Sequence, residues 1–150
     1  MLTAVLAALA LAEAAASTIV PQRSIAGAKL TMTKPEVRDV LGDPNRVEHG
    51  QNDFGSYTVF YYHRLRVTFQ GNQEATAITT RRFSEKTPKG IGRGSTEEEL
   101  KDAHPGARCK TEAPGFRHCW TGSRQAGRRI TDFRIRAGEV SRVTVAFVID

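Results

Sequence analysis

The side chains best suited to chemistry are Cys109 and Cys119, with His104 and His118 close to them in sequence. Four such groups could hold a zinc ion. Structural zinc sites gather close pairs of the Cys-x-x-Cys kind, and this sequence has none. His118 and Cys119 are also adjacent, so on a strand they point to opposite faces. In an oxidising compartment two cysteines at this spacing form a disulfide instead. A second candidate is the glycine-rich stretch 89–96, which ends on Thr96 before a helical pattern, a geometry that can cradle phosphate. Its Gly, Lys and Ser/Thr order is not that of a nucleotide-binding loop, and Glu97, Glu98 and Glu99 would crowd an anion. It reads as a turn and a helix cap, with the three carboxylates favouring the helix N-terminus. No Gly-x-Ser-x-Gly or His-Glu-x-x-His pattern occurs. His49 and His63 are isolated, and Glu36, Asp39, Glu99 and Asp102 are explained by helix capping and solvated faces. The expectation is a chain with no catalytic residue, no metal site and no cofactor.

The arginines are the other chemical resource. The formal charge is +6, and 16 of the 22 basic residues are Arg. From His104 onward there are nine Arg or Lys against four acids. Arg66, Arg129, Arg134, Arg136 and Arg142 alternate with apolar neighbours, so they fall on one side of strands. Arginine makes planar, bidentate contacts and is weakly hydrated, which suits an acidic protein partner. Arginines interleaved with Phe116, Trp120 and Phe133 could also hold a single-stranded nucleic acid, a use that export argues against. The plainest reading is that these charges keep a wet sheet face soluble.

Several elements must position these groups. Residues 2–12 form an apolar run followed by small-residue sites at Ala14 and Ala16, the pattern of an export leader covering 1–16. The run is too short to span a bilayer, and no other stretch is a candidate span. After it, Thr33, Glu36, Val37, Arg38 and Asp39 match Thr96, Glu99, Leu100, Lys101 and Asp102, each set 63 residues apart. Both begin with a Thr-x-x-Glu capping pattern. Gly42 and Pro44 stop the first helix, and Pro105 and Gly106 the second. Further matches follow at 66–68 with 129–131, and at 74–79 with 139–144. Period-two alternation predicts strands around 65–69, 133–136 and 142–147. The stretch 57–62 is strand-like but apolar on both sides. Gly71-Asn72 and Ala137-Gly138 are hairpin turns. The organisation expected is a first repeat at 17–84, a linker at 85–94 and a second repeat at 95–150. The fold class expected is α+β: two pseudo-repeats of a short helix plus antiparallel strands, with the helices on one face of the sheet.

The pattern Leu30, Thr33, Glu36, Val37, Val40, Gly42 and Pro44 resembles the opening signature of the β-lactamase inhibitor protein superfamily, which includes the small outer-membrane lipoprotein of the barrel-assembly machinery. The resemblance covers roughly residues 27–150 if both copies count. It implies an exported, non-enzymatic tandem repeat that offers an open sheet face to another protein. The lipoprotein branch carries a lipidated Cys after its leader, where this sequence has none. The inhibitor branch carries two disulfides, where this chain can form one. The resemblance also implies a binding role for an Asp-aromatic pair on a loop, here Asp53 and Phe54, and the loops around Asp53 and Trp120 are the other place to seek a site. The function expected is a protein-binding or scaffold module, secreted or at the cell envelope. The alternatives are a small secreted enzyme, or a polyanion-binding domain using the basic face.

Overall fold

The computed structural model describes residues 18–149, so the leader expected at 1–16 lies outside the described residues. The chain opens with three short strands, β1 (Ile19–Val20), β2 (Ser24–Ile25) and β3 (Ala28–Lys29), paired in that order. Helix α1 (Lys34–Leu41) leads into β4 (Arg46–Asn52), β5 (Gly55–Tyr62), β6 (Leu65–Gln70) and β7 (Ala77–Thr80). Helix α2 (Glu97–Ala103) leads into β8 (Arg108–Ala113), β9 (Phe116–Gly122), β10 (Arg129–Arg136) and β11 (Glu139–Phe147). The last eight strands form one antiparallel sheet in the order β4-β5-β6-β7-β11-β10-β9-β8.

Both helices start as their caps dictate. The Thr33 hydroxyl accepts from the Glu36 amide, and the Thr96 hydroxyl from the Glu99 amide at 3.1 Å. Each Glu carboxylate accepts back from the Thr hydroxyl, at 2.9 and 3.2 Å. α1 ends at Gly42, whose φ of 80° is open to glycine at little cost. α2 ends at His104, before Pro105.

The expected α+β class, two helix-plus-strand units in balance, is corrected by this architecture. Strand takes up 51% of the described residues and helix 11%, so the described structure is mostly β. The helices stop after two turns and bury one residue each, Val37 and Leu100. Two whole strands, β4 and β8, occupy stretches without period-two patterning. The strands that follow the two helices share one eight-stranded sheet, continuous through the β7–β11 ladder that pairs Ile78 with Val145 and Thr79 with Thr144.

One face of the sheet carries the core. Phe60, Val67, Phe69, Ile78, Phe133, Val143 and Val145 are almost fully buried on it. Ile19, Ile25, Ala28, Leu30, Val37 and Leu100 pack against them. Burying such side chains contributes about 1.5–3 kcal/mol each. The turn after β1 is pinned to this face, because the Gln22 amide donates to the Thr131 hydroxyl at 2.6 Å.

The connection 85–94 is packed into the molecule. Ile91 is buried, and the Ile19 amide donates to the Lys86 carbonyl at 2.8 Å. Glu85 is only 2% exposed. Its carboxylate takes a hydrogen bond from Ser84 at 3.0 Å and pairs with Arg82 at 3.2 Å. A buried carboxylate is tolerated because it is paired and bonded. Glu85→Gln keeps the shape and removes the charge. We expect it to lower the unfolding free energy by about 2 kcal/mol, read as a lower denaturant midpoint with an unchanged slope.

Candidate binding face

The second face of the eight-stranded sheet carries charged and half-buried aromatic side chains. Strand register defines it. One row of directly opposed residues crosses every strand: Arg46, Tyr61, Arg66, Thr79, Thr144, Asp132, Trp120 and Arg108. The next row runs Arg142, Arg134, His118 and Lys110 across four strands, basic or potentially basic throughout. Alternation also places Tyr57, Thr68, Phe116 and Arg136 on this face. The stretch 57–62 thus divides its side chains: Thr58, Phe60 and Tyr62 face the core, while Tyr57, Val59 and Tyr61 face outward.

The two ends of the face differ in how charge is balanced. At the β8–β9 end, His118 sits between two carboxylates, with Nδ1 bonded to Asp132 and Nε2 3.1 Å from Glu112. Glu112 also takes Arg124 at 2.9 Å and Lys110 at 3.5 Å. The hydrogen bond from His118, with Arg124 behind it, holds the Glu112 carboxyl below the usual carboxylate range. The His118 ring lies between those of Phe116 and Trp120, at 5.4 and 5.1 Å. Arg124 stacks over Trp120 at 4.6 Å.

Toward the middle of the sheet this balance is lost. A cleft of about 160 Å³ is lined by Tyr61, Tyr62, Leu65 and Thr79 together with Arg64, Arg66, Arg81 and Arg142. A second, of about 210 Å³, is lined by Arg81, Arg93, Arg134, Arg136, Ser141 and Arg142. Arg81 and Arg142 belong to both, and neither is lined by a carboxylate. Burial lowers the pKa of the Arg142 guanidinium, and the charges of Arg134 and Arg66 lower it further. Arg134 lies over the Phe116 ring at 4.5 Å.

The structure brings Arg66, Arg134, Arg136, Arg142 and Trp120 onto this one face. Arg129 is not with them. It shares the alternation of Thr131 and Phe133 on the other side of β10, and its guanidinium lies over Phe147 at 5.1 Å. Asp53 and Phe54 form the tip of the β4–β5 hairpin, with Phe54 53% exposed. That tip is about 20 Å along β4 from the row containing Arg66. Sequence reading missed Arg64, Arg81 and Arg93. They sit in loops, where no alternation marks a facing, and only the topology carries them to the sheet centre.

Cys109 and Cys119 stand directly opposite each other on β8 and β9 and are joined as a disulfide, S–S 2.02 Å. Glu97 lies beside them, 3.8 Å from the Cys119 sulfur. Both sulfurs are spent on the bond, and the Glu97 carboxylate is paired with Arg117 and, at 3.1 Å, with Lys101. His104 is elsewhere, its Nε2 3.3 Å from the Thr87 hydroxyl. The Arg117 hydrogen bond holds the Glu97 carboxyl below its usual range. A carboxyl depressed in the folded state stabilises at pH above its ordinary value, near 4.5, and that contribution is lost as pH falls through the folded value. Glu97→Gln should therefore lower stability near pH 7 and flatten its decline between about pH 5 and pH 3. Chemical denaturation across that range measures it.

No family model matches the chain, and no curated protein matches it. Among solved structures the fold is similar to that of an extracellular protein containing an SCP domain from Bacillus anthracis str. Ames, with a TM-score of 0.51 and 8% identity. The similarity covers 79% of this chain and 44% of that one, so the chain spans less than half the length of that protein. At this identity the likeness carries the fold alone.

Proposed function

We propose that the chain is an exported binding module that takes an acidic protein partner on the open face of its eight-stranded sheet. The observation that carries this reading is the composition of that face. Tyr57, Tyr61, Trp120 and the arginines of the two central rows are the residue types that dominate binding energy at protein interfaces. They stand on a rigid ladder, so little backbone freedom is lost on docking.

Export is supported by the apolar leader and by the intramolecular disulfide, a bond that persists in oxidising compartments. The extracellular setting of the SCP-domain protein is in keeping with it. Among the described residues no helix is long and apolar enough to cross a membrane. An open sheet offered to another protein is also what the resemblance to the β-lactamase inhibitor superfamily implies. An inhibitor using Asp53 and Phe54 would be its more specific form. A binding role also fits His118, since carboxylates engage both its ring nitrogens.

The test is capture from culture supernatant and envelope fractions with three baits: the native chain, the triple variant Arg66→Glu, Arg134→Glu, Arg142→Glu, and Arg129→Glu on the opposite face. A protein retained by the native chain and by Arg129→Glu, released by salt and lost on the triple variant, supports the reading. Retention that is equal on all three baits rejects it, and loss on a fourth bait with Asp53 and Phe54 replaced by alanine then moves the site to the hairpin tip.

A further inference from the structure

The cleft lined by Arg81, Arg93, Arg134, Arg136, Ser141 and Arg142 is a concentration of like charge that the fold does not need. Arg134 and Arg142 stand directly opposite each other on β10 and β11. Like charges in that relation destabilise a sheet. A sheet face kept merely wet interleaves its charges, as the β8–β9 end does with Glu112 and Asp132. Here the arginines face one another, and the carboxylate that acts on Arg142 from the neighbouring row, Asp132, is already engaged by His118.

We infer that this cleft is a binding site for a tetrahedral oxyanion of the phosphate type, free or carried as an ester on a larger molecule. Three features point to it. The guanidinium groups come from separate places: Arg134 and Arg136 from β10, Arg142 from β11, Arg81 from the end of β7, and Arg93 from the connection 85–94. A carboxylate has two oxygens in a plane and one charge, and a single arginine fork satisfies it. A phosphate has more oxygens, nearly two charges, and lobes in several directions, which matches donors converging from several directions.

The arginines are also held ready. Arg134 is braced on the Phe116 ring, and Arg93 lies over Phe83 at 4.3 Å while donating to the Arg81 carbonyl at 2.6 Å. Bracing removes rotamer freedom before the ligand arrives, which lowers the cost of binding. The Arg134 Nε–H is buried and has no acceptor among the described residues. A donor in that condition favours an acceptor brought by a ligand.

The size agrees. About 210 Å³ is the space of about seven waters at roughly 30 Å³ each, enough for a phosphate or diphosphate with part of its hydration. An anion there also offsets the burial and repulsion that weigh on the ionised form of Arg142.

The inference rests on the open-face reading for its use, and binding of the ion itself needs no partner. It is tested by calorimetric titration of the full chain with inorganic pyrophosphate, at ionic strength held constant with chloride. The native chain, Arg142→Gln, Arg134→Gln and Arg46→Gln are compared, Arg46 lying outside the cleft. The expected result is one saturable site, weakened at least about tenfold (about 1.4 kcal/mol) by Arg142→Gln and by Arg134→Gln and unchanged by Arg46→Gln, since each of the first two removes a charge-assisted contact. Each variant keeps the native melting temperature within a few degrees, so a loss of binding is read on folded protein. Tighter binding per chain by linear polyphosphate assigns the site to a polymer-borne group, and equal binding assigns it to the free ion. Absence of saturable binding overturns the inference, as does equal weakening in all three variants, or binding of a glutamate-rich peptide where pyrophosphate does not bind. Failure here together with arginine-dependent capture of a protein leaves the open-face reading standing. Pyrophosphate binding without such capture rejects that reading alone.

Discussion

Replacing Cys109 and Cys119 by serine lowers the unfolding free energy by about 3 kcal/mol and the melting temperature by about 10 °C. The two residues are ten apart. Closing a loop of that size removes about 2.8 kcal/mol of chain entropy from the unfolded state. The effect is concentrated at one edge of the sheet. β8 is exposed along nearly its whole length and contributes only Cys109 to the core. Backbone pairing with β9, the disulfide and the Glu112 contacts to His118 and Arg124 hold it. Without the bond, β8 should open first, and amide exchange over 108–113 should accelerate more than over β10 or β11. Glu112 would then leave His118 and Arg124, so the aromatic end of the open face would loosen. The central arginines Arg66, Arg134, Arg136 and Arg142 lie on β6, β10 and β11 and should keep their arrangement. Partner binding through them should survive the substitution when measured below the lowered melting temperature. Equal protection of 108–113 in the serine variant would show that the ladder alone holds this edge.

Much of the core face could be read from period-two alternation. Leu65, Val67 and Phe69, and then Phe133, Ile135, Val143 and Val145, are apolar at every second position and buried. The helix starts were legible for a local reason, the Thr-x-x-Glu caps at Thr33 and Thr96. The edges were not. β4 and β8 are exposed along most of their length, with burial too slight to impose alternation. Missing both edges understated the sheet and produced the α+β expectation. The first three strands were missed because each is two residues long and its burial depends on the larger sheet beneath it.

The candidate site was legible only in part. Arg66, Arg134, Arg136 and Arg142 follow from alternation. Arg129 does not, although it stands in the same strand, because odd and even positions of β10 belong to opposite faces. The pairing of Arg134 with Arg142 depends on the β10–β11 register, which shifts between Arg134 and Ile135. No local pattern announces such a shift. Arg81 and Arg93 reach the centre from loops, so their part in the cleft is a property of topology.

The central claim is that the open face binds through its arginines, and its most direct test is one affinity measured two ways. With the partner captured by the native chain, binding is followed at low and at high salt for the native chain and for the variant Arg66→Glu, Arg134→Glu, Arg142→Glu. The account predicts that affinity falls as salt rises, because exposed charges act over about 10 Å at 0.1 M salt and less above it. It predicts that the triple reversal weakens binding by at least about a thousandfold, each reversed charge costing about 1.4 kcal/mol or more, with a slower on-rate as part of the loss. The melting temperature of the variant should stay within a few degrees of the native value, since surface charges contribute little to stability and positions 134 and 142 remain a like-charged pair after the reversal. An affinity that ignores both the salt and the triple reversal contradicts the account and leaves these arginines as solvation of a wet sheet.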